Sequence, residues 1–266
     1  STLYSLGRKT REAVEEARAN IANLIGAKPE EVYFTSGGTE SDNWAIYGVT
    51  RARAKQGNHI ITTKIEHHAI LEPFHHLQKN GYETSILGVD ENGFVSVDDI
   101  AQAITDKTVL ITVMHANNEI GTIEPVEAIG KLAKEKGIHF HPDTVQTIGH
   151  IPVNVNAFNC DSLAMSSHKL YGPKGIGAMY IRKGTKIERF MLGGAQESNR
   201  RAGTQNVAGI IGFGKAAELA ASRMAEEAEK TTKLRDALIA GIEAKIPDTK
   251  LNGDRIKRLP NNVNFS

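Results

Sequence analysis

Short apolar strands that alternate with amphipathic helices predict an α/β domain with a mostly parallel central sheet. Two further observations support that class. The residues following each strand are unusually polar, as expected where ligands bind beyond strand ends. The chain has 266 residues, 40% of them hydrophobic, enough for a sizeable core. Its 25 Gly and 8 Pro exclude collagen-like, low-complexity and largely disordered readings. Lys+Arg 32 against Asp+Glu 31 gives a net charge of +1, too weak a field to favour nucleic acid as the main partner. No apolar run approaches the roughly 20 residues that span a bilayer, so no membrane partner is expected. A single cysteine can form neither an internal disulfide nor a thiolate cage, which favours a reducing, cytoplasmic setting.

In chain order, Val14, Ala17, Ile21, Leu24 and Ile25 recur at helical spacing until Gly26 and Pro29 end the helix. Glu31–Phe34 reads as a strand and Ser41–Lys55 as a helix. Strands follow at His59–Thr62, Tyr82–Leu87 and Thr108–Met114, with helices at Ala69–Lys79 and after Ser96. Pro125 sits where a first helical residue is favoured and opens a helix to Lys136. Further strands are expected at Ile138–His141, Ser162–Met165 and Gly177–Ile181. From Asn206 to about Lys245 the chain is nearly all helix-forming, a bridge toward a second domain. Ser1 is not Met, and Asn262–Ser266 reads as a strand cut midway, so the chain is expected to be part of a longer protein. The expected organisation is a large domain over 1–205 lacking its N-terminal segment, a connecting helix over 206–245, and the start of a small domain over 246–266.

The strand ends carry the chemistry. Thr35-Ser36-Gly37-Gly38-Thr39-Glu40-Ser41 leads into a helix and suits an anion: glycines let the backbone approach, and helix N–H groups are free. It equally suits a simple capped turn, and it is not a P-loop. His67 and His68, with His75 and His76, lack a known metal-ligand spacing, and no metal site is expected. His67 lies nearest the strand end. Asn117 and Asn118 could cap a turn or hold a ligand oxygen. Asp143 follows a buried strand and needs a cationic partner, with Gln146 one turn on; His139 and His141 read as packing groups. Lys169, flanked by Ser166, Ser167 and His168 and fixed by Gly172-Pro173-Lys174-Gly175, is placed as a partly desolvated amine nucleophile. An anion cradle, a stacking histidine, a buried aspartate and a nucleophilic lysine together meet the four needs of pyridoxal phosphate.

These motifs resemble the cysteine desulfurases, class V aminotransferase-like enzymes of PLP fold type I. The similarity rests on Thr35–Asn43, Glu66–Ala69, His115–Gly121, Ser167–Gly175 and Arg201–Thr204, in order along nearly the whole chain. The resemblance implies the large PLP domain with the start of a C-terminal small domain. It implies Lys169 as the Schiff-base lysine, Asp143 as partner of the ring nitrogen, and His67 as the stacking and proton-handling histidine. Gln146 and Asn118 would surround the phenolic oxygen and the substrate side. Thr39, Ser166 and His168 would bind phosphate, with backbone from Gly38 and Ser167, and Thr204 would reach it from the second subunit of a homodimer. The implied reaction takes L-cysteine to L-alanine and passes sulfur as a persulfide to an acceptor protein such as an iron–sulfur scaffold, or toward tRNA thiolation. The family's thiolate loop and substrate-carboxylate arginine are expected beyond Ser266. Cys160, in Phe158-Asn159-Cys160-Asp161, does not match that loop and reads as a structural thiol. The chain alone is therefore expected not to sustain desulfuration. A selenocysteine lyase, an aminotransferase and a non-catalytic scaffold on the same fold are the competing readings. Asn117–Gly121 with Arg201–Thr204 favours the desulfurase branch, and joint retention of Lys169, His67 and Asp143 argues against a scaffold.

Overall fold

The computed structural model describes residues 5–266. Helix α1 (Ser5–Leu24) precedes strand β1 (Val32–Thr35) and helix α2 (Gly38–Ala52). Then come β2 (His59–Thr63), α3 (His68–Lys79), β3 (Glu83–Leu87), α4 (Val97–Ala103), β4 (Thr108–Thr112), α5 (Val126–Lys136) and β5 (His139–His141). Strands β6 (Ser162–Ser166) and β7 (Gly177–Ile181) follow, then the short α6 (Gln196–Asn199) and the long α7 (Val207–Lys245).

Strands β3, β2, β4 and β5 pair in parallel, while β7 runs antiparallel between β1 and β6. A single parallel bridge, Asp143 to Ala164, joins the two groups, backed by the Asp161 N–H donating to the Phe140 carbonyl at 3.0 Å. The strand order is thus β3-β2-β4-β5-β6-β7-β1, with only β7 reversed, as a mostly parallel sheet requires. Successive side chains of a strand point to opposite faces. Accordingly Ile60 and Leu110 join a core with Ile46, Val49, Ile70 and Phe74 from α2 and α3. Their neighbours Ile61 and Ile111 join the larger core with Ile21, Phe140, Ile210 and Phe213. Both faces are covered, which explains why these strands read as continuous apolar runs.

Most elements follow the sequence expectations with small shifts, but the strand expected at Asn262–Ser266 is reduced to a single bridge residue, Phe265, because its only strand-like partner among the described residues is Leu251. Helix α2 starts at Gly38 rather than Ser41, because its first turn is the glycine loop itself. Pro125 is the cap residue, with φ −78° and ψ 53°, and the helix begins one residue later at Val126. Pro73 stands inside α3, where it removes the N–H that would serve the Ala69 carbonyl; the Asn43 amide donates to that carbonyl at 3.4 Å instead. The Asn206 side chain caps α7 by accepting the Gly209 N–H at 3.1 Å. The end segment folds back: Leu251 bridges Phe265, and the Leu259 N–H donates to the Gly121 carbonyl at 2.9 Å.

Gly130 of α5 packs directly on the Phe158 carbonyl, where an added Cβ would collide with backbone oxygen. Gly130→Ala therefore destabilises the protein by about 1–3 kcal/mol, although alanine is the better helix former by about 1 kcal/mol. Denaturant midpoints of the two proteins check this, and a neutral or stabilising change would contradict the packing.

Candidate active site

An open, mostly parallel sheet takes its ligand beyond the carboxyl ends of its strands. A cavity of about 220 Å³ opens there. Gly38, Thr39, His67, Asn118, Asp143, Gln146, Ser166, His168 and Lys169 line it, so five separate chain segments converge as the sequence suggested. Ser167 is buried beside it, and Thr204 is exposed outside it. Larger cavities of about 430 and 900 Å³ lie along α7 and around Arg18 and Glu197, but neither brings a lysine to a buried aspartate.

Each wall has a local cause. The floor of the cradle is the first turn of α2, where a Cβ on Gly38 would stand 2.6 Å from Val145 Cγ2. Thr35 and Ser41 hydroxyls lie 2.8 Å apart and tie the loop to the helix, and Glu40 accepts the Ser36 N–H at 2.7 Å. Ser166 Oγ is 2.9 Å from His168 Nδ1. Burial, then the Lys169 and Lys174 ammoniums, push the His168 imidazole below its usual range. Lys169 sits half-buried in a 3-10 turn (Ser167–Leu170) that ends at Tyr171 with φ 65°. His150 donates to the Lys169 carbonyl at 2.7 Å, and Gly172 closes the turn onto the Ser167 carbonyl at 3.0 Å. His67 caps α3, its Nδ1 accepting the Ala69 N–H at 3.0 Å, which fixes the ring orientation.

The asparagine pair divides. Asn117 is the turn cap: its Oδ1 accepts the Glu119 and Ile120 N–H groups at 2.8 and 2.9 Å. Asn118 faces the cavity. His139 and His141 pack as expected, both on Ser162 Oγ, at 2.7 and 2.9 Å. His75 and His76 are exposed on α3.

Three cavity residues escaped the sequence reading: Asp42, Met114 and Val145. Asp42 lies one helical turn after Gly38, on the face that meets the sheet, a spacing that could have revealed it. Its Oδ1 is 3.1 Å from His141 Nε2. The distance suits an ion pair, yet burial holds the Asp42 carboxyl well above its usual range and lowers His141 to about 4. A neutral hydrogen bond is the form this environment favours. Burial pushes Asp143 from 3.8 to about 7, against the Val145 N–H that donates to its Oδ1 at 2.8 Å. Such a carboxyl stands ready for a cationic ligand group.

The class-V aminotransferase family profile matches residues 1–266. The chain belongs to this family. Within it, the "Cysteine desulfurase IscS" of Dictyoglomus turgidum is 59% identical over the whole chain, which spans 68% of that relative. The solved structure of a NifS-like protein superposes with a TM-score of 0.95 at 38% identity, covering 99% of this chain and 72% of that one. That of SspA in complex with cysteine gives 0.79 at 39% identity, covering 82% and 63%. Chemistry and relatives agree: this is a cysteine desulfurase chain of the α/β, fold type I class.

A carboxyl raised in the folded state imposes a penalty that is absent below about pH 4, grows toward pH 7 and is constant above. In the cofactor-free protein, Asp143→Asn should therefore raise stability at pH 8 by about 1–3 kcal/mol, with the gain fading toward pH 4. Denaturant titrations at both pH values test this, and a pH-independent difference would contradict a buried, unpaired carboxyl.

Proposed function

We propose that this chain forms the cofactor-holding body of a pyridoxal-phosphate-dependent cysteine desulfurase that converts L-cysteine to L-alanine and passes the sulfur on. The observation that carries this reading is the convergence of Lys169 and Asp143 on one cavity beside the α2 N-terminus. The residues fit the group: a glycine-floored helix start for a phosphate, a buried carboxyl for a ring nitrogen, an amine for an aldehyde. Bound there, the cofactor would supply an electron sink for negative charge at the substrate α-carbon.

The chain's own residues would do the rest. Asp143 would hold the ring nitrogen protonated, trading its desolvation penalty for an ion pair. Thr39, Ser166 and His168 would bind the phosphate with backbone from Gly38 and Ser167, and Thr204 would reach it from a second copy. His67 would stack on the ring and handle a proton. Gln146 and Asn118 would orient the phenolic oxygen and the substrate. Lys169 Nζ would hold the cofactor aldehyde and would move the substrate α-carbon proton.

Cys160 is unsuited to receive sulfur. It is fully buried, its thiol contacts the Val155 carbonyl at 3.8 Å, and burial pushes it far above the range in which a thiolate forms. Another cysteine must be the acceptor, and an iron–sulfur scaffold or similar protein then takes the persulfide. Binding of cysteine by the SspA structure supports the substrate class. Among the described residues no helix is long and apolar enough to cross a membrane; the reducing, cytoplasmic setting we favour rests on the single cysteine.

Adding pyridoxal phosphate to the full-length protein should produce a visible absorption band, and borohydride reduction should label Lys169. Lys169→Ala should lose the band and the label; retention of both would overturn the reading. Alanine and sulfide from L-cysteine, without keto acid, separate desulfuration from transamination. Cys160→Ala should cost about 1 kcal/mol of stability while desulfurase turnover stays within about twofold.

A further inference from the structure

The Arg201-Ala202-Gly203-Thr204 motif lies on an arm that the cavity does not include. Its backbone is strained: Glu197, Ser198 and Asn199 have successive φ values of 46°, 54° and 62°. Non-glycine residues adopt this left-handed region only where surrounding contacts impose it. Here Glu197 supplies those contacts. It is 7% exposed, and its Oε2 accepts from Arg18 Nη1 at 2.7 Å and from the Phe34 N–H at 2.9 Å. Its Oε1 accepts from Arg18 Nη2 at 3.2 Å and from the Gln205 amide at 2.6 Å. Arg18 is itself buried and lies 4.6 Å over the Phe34 ring.

A second anchor completes the hold. Arg201 makes a two-point ion pair with Glu40, at 2.7 and 3.0 Å, directly beside Thr39 of the cradle. The residues flanking the anchors are presented outward: Thr204, just after Arg201, is exposed, and Leu192, before Glu197 on the same arm, is 81% exposed. A buried carboxylate, four donated hydrogen bonds and three strained residues are therefore spent on the shape of an exposed loop.

We propose that Glu197, clamped by Arg18, is a positioning residue that pre-shapes this arm to deliver the Thr204 hydroxyl to the cofactor phosphate of a second copy of the chain. This rests on the cofactor and dimer reading above and assigns it a residue outside the cavity. A preformed arm loses less entropy on meeting its partner than a loop that must order first. Removing the carboxylate would leave the buried Arg18 guanidinium with only the half-exposed Glu15, 3.1 Å from its Nε, as counter-charge, and the arm would relax.

The test uses the full-length protein and compares pyridoxal phosphate with phosphate-free pyridoxal, read by the Lys169-dependent band. Glu197→Gln should weaken the phosphate ester about tenfold while leaving pyridoxal within about twofold. Thr204→Ala should do the same, and the double variant should be no worse than either alone. Glu197→Asp, which keeps the charge but retracts it by one methylene, should give a smaller loss of the same kind. In mixed dimers of Lys169→Ala with Glu197→Gln, the one competent site receives an unaltered arm from its partner and should bind as the parent does. Parallel loss of both ligands, additive effects, or failure of that rescue would each overturn the proposal. Absence of any band in the unsubstituted protein would instead remove the cofactor reading, and this inference with it.

Discussion

A carboxyl group buried at the seam of the sheet is the constraint on which the site depends. Asp143 stands where the parallel strands β2 to β5 end and the β6–β7–β1 group begins, joined there by one bridge. A cavity opens beyond these strand ends, and the carboxyl that faces it is too desolvated to ionise comfortably alone. Around that cost the other groups fall into order. The helix start, the capped histidine and the lysine turn all reach the same opening because each follows a strand that ends there.

Charge economy in the interior reinforces this arrangement. Burial raises the Asp42, Glu66 and Asp143 carboxyls alike. Asp42 meets its cost by a hydrogen bond to His141, while Glu66 accepts the Thr63 hydroxyl at 2.7 Å and the Met114 N–H at 2.9 Å. Both are favoured in the neutral form. The single thiol is excluded from chemistry by the same low-dielectric interior.

Much of the architecture was legible because periodicity reports burial directly. Ile60, Ile61, Leu110 and Ile111 read as unbroken apolar strands since both sheet faces are covered. Element ends were less legible. Helix α2 begins already at Gly38, with Gly37 as its cap residue, and Pro125 caps rather than opens its helix, because glycine and proline mark a boundary without fixing which residue takes the first helical position. Likewise, Asn117 and Asn118 are equivalent on paper, and only the fold turns one inward as a cap and the other toward the cavity.

By itself, the order of residues determined the alternating elements and the motifs at the strand ends, with Lys169 and Asp143 among them as candidates, since these are local properties of pattern and spacing. Tertiary structure alone decided that Asp42 pairs with His141 across 99 positions and that Glu197 reaches Arg18 across 179. Partners so distant in sequence leave no periodic trace. They are selected by which buried charge can find a counterpart once the strands have closed over it.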